Sequence, residues 1–75
     1  MQYDETDLTR RATAAWFRAG NTAQPNASDS GTLEIEGRVY VVLRNVEGPL
    51  AVYRLTGQGK LRSLRRWPAE IKAEA

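Results

Sequence analysis

The sequence predicts an α+β fold, in which an N-terminal helix packs on one face of an antiparallel meander of three or four strands and a short C-terminal helical turn follows. Three observations predict it. Apolar residues recur at helical spacing near the start of the chain, and from Thr32 onward apolar and polar residues alternate. The 75 residues include no cysteine, so packing rather than disulfides must hold what we expect to be a single small domain, 1–75.

The first element is a helix, expected over about residues 5–19. Asp4 or Thr6 is suited to cap its first turn, and Gly20 can adopt the left-handed conformation that ends a helix. The following segment, residues 21–31, contains no strongly apolar side chain and predicts a mobile loop. The apolar stripe that defines the helix, with spacings of i, i+4, i+7, i+8 and i+11, consists of Leu8, Ala12, Ala15, Trp16 and Ala19.

A β-meander is expected over about residues 32–64, with turns near Gly37, Gly48 and Gly57. Because a one-residue slip would turn every apolar side chain outward, we expect three-residue turns that set apolar residues opposite one another. The pairs expected from these turns are Ile35 with Val39, Leu43 with Tyr53, and Leu55 with Leu61. The face expected beneath the helix consists of Leu33, Ile35, Val39, Val41, Leu43, Ala51, Tyr53, Leu55 and Leu61.

The end of the chain predicts a helical tail over about residues 68–74. Apolar residues leading to Trp67 are spaced by three, and this pattern leaves open whether residues 62–67 continue the strand or form a helical turn. In the tail, Ile71 is expected to face inward, although the tail as a whole is expected to fray. The large apolar area of Trp67 favours a place in the core, in contact with Trp16.

Positive charge is concentrated in the second half of the chain. The net charge of +2 combines a balance of −3 in residues 1–36 with +5 in residues 37–75. Within residues 38–66, seven cations accompany a single acid, Glu47. Nine of the eleven cations are arginine, which is suited to bidentate contacts with phosphates and carboxylates. This asymmetry points to an anionic partner.

The outward face of the meander is the predicted binding site. In the expected register Arg54 lies directly across from Arg62, and opposed like charges are destabilising unless an anion relieves them. We therefore expect nucleic acid to bind with little sequence specificity, with arginines neutralising phosphates and Tyr40 stacking on an unpaired base. Residues 60–66 would add a basic rim. The predicted site consists of Arg38, Tyr40, Arg44, Arg54, Lys60, Arg62, Arg65 and Arg66.

The same face allows other interpretations. Glu34 and Glu36 are expected on it, and ion pairs between them and the arginines would leave an ordinary solvated surface. Alternatively, the chain is a protein-interaction or regulatory factor that binds an acidic protein surface, or a homodimer with Val42 and Val52 at the centre of its contact. Nucleic-acid binding should weaken steeply with salt, whereas an apolar dimer contact should not.

Catalysis, metal binding and membrane insertion are disfavoured by composition. Without histidine and cysteine, the usual general base, the thiol nucleophile and the common transition-metal ligands are missing, so we expect no enzyme activity, cofactor or metal. The longest apolar run, residues 39–43, is far shorter than the roughly 20 residues of a membrane helix. The acidic start lacks the pattern of a signal peptide. We expect a cytoplasmic protein, and small size with arginine preference favours a bacterial origin.

Overall fold

The computed structural model describes residues 3–73 and contains an N-terminal helix, a four-stranded antiparallel sheet and a short C-terminal helix. The strand order in the sheet is β1-β2-β3-β4, so each strand pairs with its neighbour in sequence. The predicted α+β meander is therefore confirmed. The elements are α1 (Glu5–Arg18), β1 (Gly31–Ile35), β2 (Arg38–Asn45), β3 (Gly48–Leu55), β4 (Leu61–Ser63) and α2 (Ala69–Lys72).

Helix α1 begins and ends as its sequence indicates. The side chain of Asp4 accepts a hydrogen bond from the backbone N–H of Asp7 at 3.2 Å, which satisfies one of the amides at the helix start. Gly20 follows the last turn with φ of +92°, the left-handed conformation that glycine adopts readily. Leu8 and Ala12 are buried, and they place the apolar stripe of α1 against the sheet.

The turn between β1 and β2 differs from the prediction. Ile35 pairs with Arg38, so the turn holds two residues, Glu36 and Gly37, with φ of +51° and +77°. Positive φ at both positions matches the right-handed twist of the strands. The shorter turn slips β1 by one residue relative to the prediction, and Leu33 therefore faces away from α1.

The turn between β2 and β3 is also shorter than predicted, but a bulge preserves the faces. Asn45 pairs with Gly48, and the register shifts between Leu43 and Arg44. Leu43 consequently lies opposite Ala51 rather than Tyr53, still on the side of the sheet that α1 covers. Tyr53 pairs with Val41 rather than with the predicted Leu43. Because this is a shift of two residues, Tyr53 still faces the helix side.

The register of β3 and β4 agrees with the sequence prediction. Leu55 pairs with Leu61, and Arg54 pairs with Arg62. After Ser63 the strand ends, although the backbone N–H of Leu64 still donates to the carbonyl of Val52 at 3.0 Å. The chain then leaves the sheet edge and crosses over one face.

Both faces of the sheet are covered, which corrects the expectation of one solvated face. We call the face beneath α1 the helix side, and the face beneath residues 64–71 the C-terminal side. The helix-side cluster consists of Leu8, Ala12, Val39, Val41, Leu43 and Tyr53, with Trp16 and Leu61 among the residues at its border. The C-terminal-side cluster consists of Tyr40, Val42, Val52 and Ile71, bordered by Leu33, Ile35, Leu64 and Trp67.

The C-terminal segment, residues 64–73, is an integral layer of the fold. Ile71 is fully buried, with 0% of its surface exposed, and Leu64 and Trp67 pack against the same cluster. Trp67 thus joins the core as expected, but on the face opposite Trp16, so the predicted contact between the two tryptophans does not form. A chain this short gains a second layer of apolar burial in this way.

Candidate anion-binding surface

Four cations share one end of the C-terminal side of the sheet. Arg38 and Arg54 lie on this side because they alternate with residues that face α1, and Arg62 pairs directly with Arg54. Lys60 alternates with Leu61, which belongs to the helix side, and its carbonyl accepts from the N–H of Thr56 at 2.7 Å. We call this set the basic face; it consists of Arg38, Arg54, Lys60 and Arg62.

The central feature of the basic face is the direct opposition of Arg54 and Arg62 on β3 and β4. Side chains at opposed positions of an antiparallel pair have Cβ atoms about 4.5–5.5 Å apart, so these two positive charges repel each other. Within residues 3–73, no carboxylate lies within 4.0 Å of any cation of the basic face. The repulsion is therefore not compensated by a local ion pair.

The two glutamates that were expected to neutralise this face do not do so. Glu34 pairs with Val39 and alternates with Leu33 and Ile35, which places it on the helix side of the sheet. Glu36 is in the β1–β2 turn. Across the described chain, the side-chain ion pairs are those that Asp7 makes within α1, with Arg10 and Arg11.

Arg38 and Arg54 border a shallow pocket at the end of the sheet. Its volume is about 390 Å³, and it lies between the β1–β2 turn and the beginning of the β3–β4 turn at Thr56 and Gly57. Glu34 also lines this pocket but makes no ion pair with either arginine. The pocket therefore combines two arginines with a carboxylate and the Thr56 hydroxyl.

Tyr40 cannot act as the stacking residue that was predicted. Its side chain is 8% exposed and belongs to the core of the C-terminal side, together with Val42 and Val52. The prediction failed because it assumed that this face of the sheet is solvated, whereas the C-terminal segment covers it. The apolar centre proposed for a homodimer is removed for the same reason, since Val42 and Val52 are both 0% exposed.

Arg44 has a structural role rather than a place on the basic face. Its guanidinium Nη1 donates to the carbonyl of Asp29 at 3.0 Å, and its backbone N–H donates to Ser30 Oγ at 2.9 Å. Its carbonyl accepts from the N–H of Asn26 at 2.7 Å. These bonds fasten the α1–β1 loop to β2, although the mobility predicted for residues 21–31 stays a prediction.

A second basic cluster, the Trp67 cleft, lies on the C-terminal segment. Its volume is about 540 Å³, and its walls are formed by Arg65, Arg66, Trp67 and Lys72. The three cations are exposed, and the tryptophan is half-buried. Arg65 and Arg66 were predicted as part of a basic rim beside Trp67, together with Lys60 and Arg62. Lys72 was missed, because only the folding of α2 brings it near Trp67.

Membrane-spanning helices and clusters of metal ligands are both absent from the described residues. No helix among them is long and apolar enough to cross a membrane, and within residues 3–73 no cluster of three potential metal ligands occurs. Burial raises the pKa of Tyr53 above its ordinary value. Tyr53 belongs to the helix-side core, on the opposite face of the sheet from Arg54 and Arg62.

Comparisons of the chain with protein-family models, with curated proteins and with solved structures found no match. The functional interpretation consequently depends on the geometry and charge of the two basic clusters.

Proposed function

We propose that this protein is a non-enzymatic binding module that holds the phosphate backbone of nucleic acid on its basic face, with Arg65 and Arg66 as an adjoining rim. The observation that carries this proposal is the direct opposition of Arg54 and Arg62, neither of which has a carboxylate within 4.0 Å in residues 3–73. A phosphate placed between two guanidinium groups would accept hydrogen bonds from both and remove their repulsion.

Nucleic acid fits this surface better than an acidic protein does. The core of a protein–protein contact is apolar and depleted in charge, and aromatic residues usually anchor it. Here Tyr40, Val42, Val52 and Ile71 on the C-terminal side are buried, and the exposed large apolar residues in residues 3–73 are Tyr3, Phe17 and Val46, none of which is on the basic face. A surface of closely spaced arginines without an apolar centre is typical of phosphate binding.

The expected mode of binding is electrostatic and largely independent of sequence. Phosphate contacts position a protein on nucleic acid without reading bases. If the basic face and its rim contact six phosphates of a duplex, the logarithm of the affinity should fall with the logarithm of salt concentration with a slope of about −5. An apolar contact would give a slope near zero.

Fluorescence anisotropy with labelled single-stranded and duplex oligonucleotides, at several salt concentrations, tests the proposal. Arg38→Gln and Arg62→Gln should each weaken binding and make the salt slope less steep by about 1. Arg18→Gln is the matched control, because Arg18 is an exposed arginine on α1, which packs on the opposite face of the sheet. It should leave binding nearly unchanged.

Two outcomes would count against the proposal. The first is the absence of binding at about 50 mM salt, where phosphate contacts are strong. The second is equal weakening by Arg62→Gln and Arg18→Gln, which would indicate attraction by net charge rather than a defined surface. Titration with polyglutamate tests the alternative that the natural partner is an acidic protein. In that case polyglutamate should bind at least as tightly as the oligonucleotides.

A further inference from the structure

We infer that the Trp67 cleft is a stacking site for an unpaired base, so that the protein prefers single-stranded over duplex nucleic acid. This inference depends on the proposed function and assigns to Trp67 the role that Tyr40 cannot have. Base stacking on an aromatic side chain needs an accessible ring with cations nearby for the flanking phosphates. The cleft combines these features in one place, because Arg65, Arg66 and Lys72 line it together with the half-buried Trp67.

The size and charge of the cleft suit a nucleotide. Its volume of about 540 Å³ is within the range of small-molecule sites, roughly 300–1,000 Å³. The described carboxylate nearest in sequence is Glu70, which is exposed on α2 and makes no ion pair with Arg65, Arg66 or Lys72. Among residues 3–73, no ion pair offsets the positive charge that the cleft offers to a phosphate group.

The tryptophan is held in place before any ligand binds. Leu64 precedes it and remains hydrogen-bonded to β3 through its N–H, at 3.0 Å from the carbonyl of Val52. Ile71 follows it and is fully buried against the sheet. Because the chain is fixed on both sides of Trp67 and the indole packs on the same cluster, little conformational entropy is lost when a base stacks on it.

The expected preference for single strands follows from the accessibility of bases. In a duplex both faces of each base are covered by its neighbours, so the indole can contact only an unpaired or terminal base. Stacking on an aromatic residue contributes about 1–3 kcal/mol per base, which corresponds to an affinity difference of about 5- to 150-fold. Phosphate contacts on the basic face contribute to both forms.

An abasic oligonucleotide separates stacking from phosphate binding. A single-stranded thymidine oligomer and an abasic strand of equal length carry the same phosphates, so their affinity ratio reports contacts to bases alone. For the wild-type protein we expect a ratio of at least about 5. Trp67→Leu should reduce this ratio to near 1 while leaving affinity for the abasic strand unchanged, and Trp67→Tyr should retain part of it.

Circular dichroism and thermal unfolding show whether each variant is folded. If Trp67→Leu does not fold, Trp67→Tyr is used instead, because it keeps an aromatic ring in the core. A ratio that is unaffected by either substitution, while binding persists, would overturn the stacking site and leave the proposed function standing. Failure of the wild-type protein to bind any of the strands would instead overturn the proposed function, and the stacking site with it.

Tryptophan fluorescence gives an independent readout. Trp16 lies on the helix side and donates from Nε1 to the carbonyl of Ala23 at 2.7 Å. The chain has two tryptophans, so Trp16→Phe leaves Trp67 as the only one, and excitation selective for tryptophan then reports on it. Emission of this variant should be quenched by the thymidine strand and not by the abasic strand. Unchanged emission when anisotropy shows the thymidine strand to be bound would also overturn the stacking site.

Discussion

The opposition of Arg54 and Arg62 predicts that the basic face costs stability when no ligand is bound. Replacing either arginine by glutamine removes the repulsion and retains most of the side chain. From opposed like charges on neighbouring strands we expect about 0.2–1 kcal/mol, and for a domain of this size 1 kcal/mol corresponds to a shift in Tm of about 4–8 °C. The same substitutions weaken nucleic-acid binding, so stability and affinity should change in opposite directions.

A double-mutant cycle isolates the repulsion from other effects of the substitutions. Arg54→Gln can also lose packing against Tyr40, its partner on β2, and Arg62→Gln can change strand propensity. These effects occur equally in the single and double variants and cancel in the coupling energy. If the arginines repel each other, Arg62→Gln should stabilise the wild-type protein more than it stabilises the Arg54→Gln variant. The expected difference between the two changes in unfolding free energy is about 0.2–1 kcal/mol.

The measurement is urea denaturation, followed by circular dichroism, at about 10 mM and about 1 M salt. Urea is uncharged, whereas guanidinium chloride would itself screen the interaction. The Debye length falls from about 30 Å to about 3 Å between these conditions, so the coupling energy should largely vanish at high salt. Additive single variants, or a coupling energy that does not depend on salt, would refute the reasoning that this face is electrostatically uncompensated.

Other predictions concern the fold. Ile71→Ala should lower the free energy of unfolding by about 2–5 kcal/mol, because it truncates a buried side chain. The control Val46→Ala, at a position 89% exposed, should change it by less than about 0.5 kcal/mol. Urea denaturation measures both values, and a small loss for Ile71→Ala would show that the C-terminal segment frays. Gly37→Ala should cost about 1–2 kcal/mol because φ is +77°, with oligonucleotide affinity unchanged; a neutral effect on Tm would contradict the assigned turn. Because burial raises the pKa of Tyr53, the unfolded chain releases the phenol proton at lower pH than the folded chain does. The free energy of unfolding should therefore be unaffected below pH of about 10 and should fall as pH rises through the folded-state pKa. Tyr53→Phe should reduce this alkaline loss of stability, and identical pH profiles for the variant and the wild-type protein would refute the prediction.

Much of the fold could be predicted because its signals are local. The helix has its cap at Asp4 and its terminating glycine at Gly20, and both act as expected. The β3–β4 register follows from the glycine-rich turn and the match of Leu55 with Leu61. The like-charge pair of Arg54 and Arg62 follows directly from that register, so the centre of the basic face was accessible from sequence.

The sequence prediction missed the covered second face because it assumed that one face of the sheet is solvated. Residues 39–43 form an uninterrupted apolar run, which indicates a strand buried on both sides, and this signal was available. Assuming a single apolar face forced Leu33 and Ile35 beneath α1 and required a longer turn at Gly37 than the structure has. Tyr40 was therefore placed in solvent.

The Trp67 cleft depends on a tertiary arrangement that sequence patterns do not describe. Lys72 joins Arg65 and Arg66 only because the chain crosses the sheet and α2 turns back over it. The spacing of Leu64, Trp67 and Ile71 is that of one side of a helix, which indicates a shared buried surface but not the face on which it packs.

The position of the covering layer along the chain has a consequence for protein synthesis. Translation delivers β2 and β3 well before Ile71, whose side chain completes the cover over Val42 and Val52. Any form of the chain in which Ile71 has not yet packed therefore exposes apolar sheet surface, which can associate with other unfolded chains or recruit chaperones.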